Sequence, residues 1–529
     1  MEINMKTLIE QGNICIGIEF GSTRIKAVMT DCDGNVLASG GKNWENTLKD
    51  GVWIYTIEQI HSGLQDCYAD LLANVKASCG AVIKKVKSFG ISGMMHGYIA
   101  LDKDKNMLSD FRTWRNNITA KEAAYLTGLL GFNIPQRWSI AHLCQMVQNK
   151  ADHLKNTDYL TTLAGYIHYL LTGEKVMGIC EASGMFPIDP ETKTYNSKMV
   201  EKFNAVMKEN DCPLLLENIL PRVLCAGEKA GTLTPEGAAF IDVSGNLEPG
   251  AVFCPPEGDA GTGMVATNSV NRKTGNISAG TSAFAMIVLE KELSKVYEEF
   301  DIIQTPNGNV TAMVHSNNCT TEINSWVTLF GEVLKTFGAE VNTGDLYETL
   351  FKKALDGDND CGGIVAYGFH SGEHLLGLSK GCPMVLHKPD ASFNLSNFMR
   401  TQIYTAFGVL KSGLDLLKNN ENVVLDKITG HGGIFKTEGV AQNFLASAID
   451  TPVAVNAAAG EGGAWGIAVL AAYLEKASEM SLPEYLDTIV FKNSEITVAT
   501  PDAETAKGYE KFMEGYNNCL KAEYAAVNN

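Results

Sequence analysis

The same run of small and hydroxyl residues occurs twice, as Ile18-Glu19-Phe20-Gly21-Ser22-Thr23 and as Ile277-Ser278-Ala279-Gly280-Thr281-Ser282. Each copy lies between short apolar runs, so each reads as the tip of a β-hairpin. A tip without bulky side chains lets backbone N–H groups and a hydroxyl come close to a polyphosphate, as nucleotide cleavage requires. Two such tips, one near the start of each half, predict two domains that grip one nucleotide.

From Ile14 to Gly40 the pattern is strand, Gly-Ser-Thr turn, strand, Asp33-Gly34 turn, strand: an antiparallel meander. A dinucleotide-binding crossover needs its glycine turn to open a helix, whereas this chain continues as Ile25-Lys26-Ala27-Val28-Met29, which argues against that fold. Helical periodicity follows over Ile57 to Lys76, then an apolar strand, Val86 to Ser92, that ends in Gly93-Met94-Met95-His96-Gly97. Loops at the carboxyl ends of such strands are the usual ligand positions in open α/β sheets. The stretch from about Phe111 to Leu220 reads as a helical insertion with the Trp114 and Trp138 neighbourhoods inside it. A Gly- and Pro-rich segment, Pro249 to Ala266, marks the expected boundary between domains 1–265 and 266–529. The second half repeats the plan: a hairpin tip, helices over Thr320 to Val341 and Asn397 to Leu417, a strand ending in Gly430-His431-Gly432-Gly433, and a helix over Gly439 to Ile449. Gly460-Glu461-Gly462-Gly463-Ala464-Trp465-Gly466 reads as a glycine-rich connection into an apolar helix, and the last thirty residues as a charged helix with a frayed end.

Composition narrows the function classes. With 529 residues, 45% of them hydrophobic, the chain can bury large cores. A net charge of −18 supplies no basic excess for a nucleic-acid backbone, so an anion site must be built locally. Neither a secretory leader nor a run of about 18 apolar residues is evident, which predicts a cytoplasmic protein without a membrane partner. Thirteen cysteines occur singly, with no Cys-x-x-Cys pair, and read as reduced thiols.

Taken in order, Gly17 to Thr23, Gly93-Met94-Met95-His96-Gly97, Gly258-Asp259-Ala260-Gly261, Gly280-Thr281-Ser282, Ser371-Gly372-Glu373, Gly432-Gly433 and Gly460 to Ala464 resemble the FGGY carbohydrate kinase family. The Met-His pair is most similar to the xylulokinase branch. The resemblance implies two α/β domains of actin-like (ribonuclease H-like) type with a cleft between them, the first binding a sugar and the second ATP. It implies ATP as co-substrate and Mg2+ on its phosphates. A ketopentose such as xylulose is the expected acceptor, with L-ribulose, L-fuculose, gluconate and polyols open. The oligomeric state stays open too, a homodimer among its options.

Phosphoryl transfer to a hydroxyl needs a proton acceptor, charge compensation on the phosphates and exclusion of water. The resemblance makes Asp259 the base, in contact with the substrate and near the metal. Glu19 stands where the family usually has Asp; an acid beside a phosphate-binding tip makes sense with a cation between them, which assigns it to Mg2+. Lys26 would point at the transferred phosphoryl group. Met95 and His96 would hold the sugar by an apolar surface and an imidazole. Trp114 and Asn116 would join them, although the family's Trp-x-Asp-x-Arg reads here as Trp114-Arg115-Asn116-Asn117-Ile118. Gly21, Ser22, Thr23, Gly280, Thr281 and Ser282 would bind the phosphates, and Gly432, Gly433 and Asn443 the nucleoside.

Three other readings compete. His370-Ser371-Gly372-Glu373-His374 matches a zinc-peptidase pattern, but that pattern needs a helix and the glycines around it oppose one. An actin-like ATPase switch would hydrolyse ATP without sugar. A sugar-binding regulator would have lost its base, whereas Asp259 and both tips are present.

Overall fold

Apolar residues dominate Cys15–Phe20 (β1) and Arg24–Thr30 (β2), and the Gly21-Ser22-Thr23 bend between them turns the chain back on itself. In this computed structural model, which describes residues 5–456 and 462–528, Val36–Asn43 (β3) continues that antiparallel meander. Ser88–Gly93 (β4) then adds parallel to β1, and Val252–Phe253 (β5) and Glu257–Gly258 (β6) both pair parallel to β4. The sheet order is therefore β5-β4-β1-β2-β3, with β6 also on β4. β1 and β4 are buried along nearly their whole length, as expected of strands covered on both faces. The helix Ile57–Cys79 starts in a Thr56–Gln59 capping box and ends at a left-handed Gly80.

The second unit repeats the arrangement. Thr274–Ala279 (β7) and Ala283–Val288 (β8) form a hairpin around Gly280-Thr281-Ser282, Val310–Ser316 (β9) lies beyond β8, and Lys427–His431 (β10) pairs parallel to β7. Val453–Asn456 (β11) and Ile496–Ala499 (β12) extend the sheet in the order β9-β8-β7-β10-β11-β12. Helices Thr321–Thr336, Leu395–Glu421, Ala441–Ala448 and Ala503–Val527 fall where periodicity predicts them.

The chain does not divide at a single point. One unit holds residues 5–271, 301–311 and 462–493 of those described, and the other 272–300, 312–456 and 494–528. The return of the chain to the first unit has a packing cause. Helix Gly462–Tyr473 is buried from Gly463 onward and presses its backbone onto β1. A Cβ on Gly17 would stand 2.2 Å from the Ala464 carbonyl oxygen, and one on Gly466 2.1 Å from that of Thr262. Of the residues read as a glycine-rich connection, Gly463 and Gly466 are thus helical, small because the Glu19 and Thr262 side chains touch the first and the Thr262 backbone the second. Gly460 and Glu461 lie outside the described residues.

Candidate active site

Glu19 and Lys26 are directly opposed in the β1–β2 ladder, so both side chains leave the same face next to the first tip. Glu19 Oε2 accepts the Ala464 N–H at 3.2 Å, at the N-terminus of helix Gly462–Tyr473, where a helix favours negative charge. Burial, helped by the charge of Asp259, raises Glu19 to a pKa of about 7 against the pull of the Ala464 N–H and Lys26. Ser92, level with Glu19 on β4, shares a 3.0 Å hydrogen bond with Thr262. A Cβ on Gly463 would lie 2.3 Å from Glu19 Oε1 and 2.7 Å from Thr262 Oγ1, so these four residues form one tight knot.

Asp259 is the first residue of helix Asp259–Ala266, directly after β6. Its Oδ1 accepts the Ala260 N–H at 2.9 Å and, more weakly, the Met95 N–H at 3.4 Å, which ties it to the Met-His loop. The side chain reaches solvent, yet desolvation by surrounding protein lifts its pKa to about 6.

His96 sits in the left-handed region, φ 69°, an uncommon backbone for a non-glycine residue and one found at ligand-binding sites. Its Nδ1 lies 3.1 Å from the Gly184 carbonyl oxygen. A carbonyl only accepts, so Nδ1 carries the hydrogen and Nε2 is left as an acceptor. Burial, with the Arg137 charge second, drives His96 down to about 3, which keeps the ring neutral. Trp138 stacks on it with ring centroids 6.1 Å apart, and the Met95 methyl and the His96 ring both lean on Gly184.

The two tips are built alike. Gly21 N–H closes its bend on Arg24 and Gly280 N–H on Ser282. Carbonyl oxygens, which would repel phosphate, are tied back: that of Gly21 by Trp44 Nε1 and that of Ser22 by the Tyr55 hydroxyl. In the second tip Thr320 holds the Gly280 oxygen and the Cys319 N–H that of Thr281. The hydroxyl residues Thr23 and Thr281 stay exposed. Gly432, at φ 114°, packs so closely on β7 that a Cβ would lie 2.1 Å from the Ala279 oxygen, while a Cβ on Gly433 would meet no protein atom within 4 Å. Asn443 is exposed on helix Ala441–Ala448. Gly280 to Ser282, Gly432, Gly433 and Asn443 thus belong to one unit, with Gly432 touching the strand that leads into the tip.

Two expected sugar contacts have other work. Asn116 is buried; its Oδ1 accepts the Trp53 N–H and its Nδ2 donates to the Trp53 and Thr113 carbonyls, so the amide fastens a loop. Trp114 donates its indole N–H to Ser22 Oγ at 3.1 Å, which places it against the phosphate tip. The zinc-like segment is a loop in which Glu373 accepts from Ser316, Asn317 and Asn318, and His370 bonds Glu322. Among the described residues, no cluster of three or more His, Cys, Asp or Glu converges on a metal position, and no helix is long and apolar enough to cross a membrane.

Sequence reasoning missed two buried acids behind Asp259. Glu257 Oε2 accepts the Glu181 N–H at 3.0 Å, and burial raises Glu257 to about 8. Glu181, also pushed well up by burial, lies against Gly258, where an added Cβ would come within 2.3 Å of its Oε2. The only signal in the sequence was a lone acid in each of two apolar or glycine-proline surroundings, Ile179-Cys180-Glu181-Ala182 and Pro255-Pro256-Glu257-Gly258.

Comparison with known proteins decides the family. Residues 14–246 match the N-terminal domain, and residues 275–475 the C-terminal domain, of the FGGY family of carbohydrate kinases. The chain belongs to that family. It is 24% identical to the xylulose kinase of Haemophilus influenzae over 525 residues, 96% of this chain and 100% of the relative. To the erythritol kinase of Brucella abortus it is 21% identical over 98% of each chain. Among solved structures, xylulose kinase from Rhodospirillum rubrum superposes with TM-score 0.78 at 16% identity, covering 98% of this chain and 100% of that one. Gluconate kinase from Lactobacillus acidophilus does so with TM-score 0.77 at 18% identity, covering 96% and 98%. The fold is therefore the two-domain, actin-like one, and the protein is an ATP-dependent carbohydrate kinase. Kinases of different acceptors share this fold equally well, so the fold does not choose the sugar.

Proposed function

We propose that this kinase phosphorylates a hydroxyl of a ketopentose, xylulose being the leading acceptor. The observation that carries this reading is the junction of Asp259 with the Met95-His96 loop: a carboxylate raised toward neutrality, bonded to the backbone of a loop that offers an apolar surface and a neutral imidazole acceptor. Full-length similarity to a xylulose kinase supports the choice of sugar. A polyol is the second reading, favoured by the erythritol kinase that matches over the same length.

In this mechanism Asp259 takes the proton of the attacking hydroxyl, and it is a stronger base than a solvated aspartate because its pKa is raised. His96 Nε2 accepts a second hydroxyl and Met95 covers carbon. Lys26 and the first tip face the transferred phosphoryl group; the second tip, Gly432, Gly433 and Asn443 take the nucleotide. Glu19 fits a cation, since burial and the Asp259 charge raise its pKa although Lys26 opposes them, and one or two carboxylates are the usual protein share of a Mg2+ site. Bound Mg2+ would neutralise charge on the donor phosphates.

The test is ADP release with ATP and a panel of ketopentoses, ketohexoses, polyols and aldonates. Turnover that requires a ketopentose supports the reading, and the same turnover without any acceptor would instead establish an ATPase switch. Asp259→Asn should retain acceptor and ATP binding while kcat falls by about 10²–10⁴; an unchanged kcat removes Asp259 from the role.

A further inference from the structure

A guanidinium from outside the Met-His loop reaches the His96 corner. Arg137 precedes Trp138, the ring stacked on His96, and its carbonyl accepts the Gly97 N–H at 3.1 Å. Its Nη2 forms a charge-assisted hydrogen bond to Asp301 Oδ2. Asp301 opens the short strand Asp301–Gln304, and that strand is anchored beside the same corner: the Gln304 N–H donates to Ser183 Oγ at 2.9 Å, one residue before Gly184, the partner of His96. Arg137, His96, Gly184, Asp301 and Asp259 all belong to the first unit. The pair is not sealed, because its side chains keep 29% and 12% of their exposure. The positive charge is also felt at the imidazole, where it is the second cause of the lowered His96 pKa.

We propose that Arg137 and Asp301 together read a vicinal diol of the acceptor and so select neutral polyhydroxy substrates over sugar acids. Each hydroxyl both donates and accepts; a guanidinium offers five N–H donors in a planar fork and a carboxylate offers only acceptors. An ion pair therefore satisfies two neighbouring hydroxyls at once, one donating to Asp301 while accepting from Arg137. The Asp301 contact engages Nη2 of the fork. An aldonate carboxylate would have to compete with Asp301 for the same guanidinium, and the two like charges repel. This assignment rests on the kinase reading above and sharpens it to a substrate class.

The experiment measures acceptor KM and kcat, ATP KM and thermal melting for the wild type, Asp301→Asn and the double variant Arg137→Met/Asp301→Asn, with xylulose and with gluconate. Loss of hydrogen bonds to charged groups is worth about 10- to 100-fold, so the double variant should raise xylulose KM by that factor while ATP KM holds. Asp301→Asn leaves an uncompensated guanidinium and should shift the xylulose-to-gluconate ratio of kcat/KM toward gluconate by about tenfold or more. A double variant that melts like the wild type with an unchanged xylulose KM, or an Asp301→Asn ratio that does not move, overturns the proposal. Should Asp301→Asn fail to fold, the charge-free double variant decides. If the wild type phosphorylates no acceptor, the kinase assignment fails separately, and xylulose-induced thermal shift, present in the wild type and lost in the double variant, still decides for the pair; its absence in the wild type decides against it.

Discussion

Glu19→Gln should make the protein more stable and less active, and the gain should depend on pH. In the folded chain burial raises the Glu19 carboxyl from 4.5 to about 7. Between those values the folded state keeps a proton that the unfolded state has released. Stability therefore falls as pH rises through this window, and the full penalty is present above about pH 7. At about 1.36 kcal/mol per unit, the penalty is about 3 kcal/mol. A glutamine keeps the acceptor for the Ala464 N–H and removes the charge, so the variant should match the wild type near pH 4.5 and exceed it by up to about 3 kcal/mol at pH 8. Urea unfolding followed by tryptophan emission, in chelator and without nucleotide, measures the difference; Trp44 and Trp465 report from the unit that holds Glu19. The same variant should lose most ATP-dependent turnover, the trade expected where a functional charge is held in an unfavourable place. A stability gap that is constant with pH, or that widens toward acid, would refute the account of Glu19 as a buried carboxylate without its cation.

Asp259 must be ionised to act, so kcat/KM should climb with pH through about 6, not through the ordinary aspartate range, and should drop about tenfold per unit below it; a profile flat down to pH 4.5 contradicts this. His96 is held near 3, so acceptor KM should show no inflection around 6.5, checked by KM measured from pH 5.5 to 8.5. Gly17→Ala would drive a Cβ to 2.2 Å from the Ala464 oxygen and 2.5 Å from the Ala468 nitrogen, backbone that cannot swing aside, and should cost about 1–3 kcal/mol or more; an unchanged melting temperature would mean that helix Gly462–Tyr473 does not lie on β1 as described.

What could be read from the chain was whatever is local in sequence. Both hairpins announce themselves because a small-residue bend between apolar runs leaves the backbone few alternatives, and both are found with their turns closed as expected. Strand Ser88–Gly93 and the long helices follow from periodicity for the same reason. Tertiary contact decides the rest, and there local rules point the wrong way. Gly463 and Gly466 weigh against a helix by propensity, yet they lie in one, at positions where only a hydrogen atom fits beside Glu19 and Thr262. Asn116 looked like a ligand by its place in a motif, and its amide is taken up by Trp53 backbone in a strand 63 residues earlier.

The partly buried charges make the same point about function. Arg137 and Asp301 are 164 residues apart and belong to no shared motif, so nothing along the chain predicts that they meet beside His96. The short motifs carry the phosphate tips, the base and the Met-His loop, and the loop supplies only part of the sugar contact. On the proposal above, discrimination between neutral acceptors and sugar acids comes from residues outside those motifs. An ion pair with its side chains partly open to solvent is suited to that, because either member can be altered without touching Asp259 or the tips. On this reasoning the chemistry of the protein is legible in its short glycine-bearing motifs, while its choice of substrate is written in a pairing that only the fold creates.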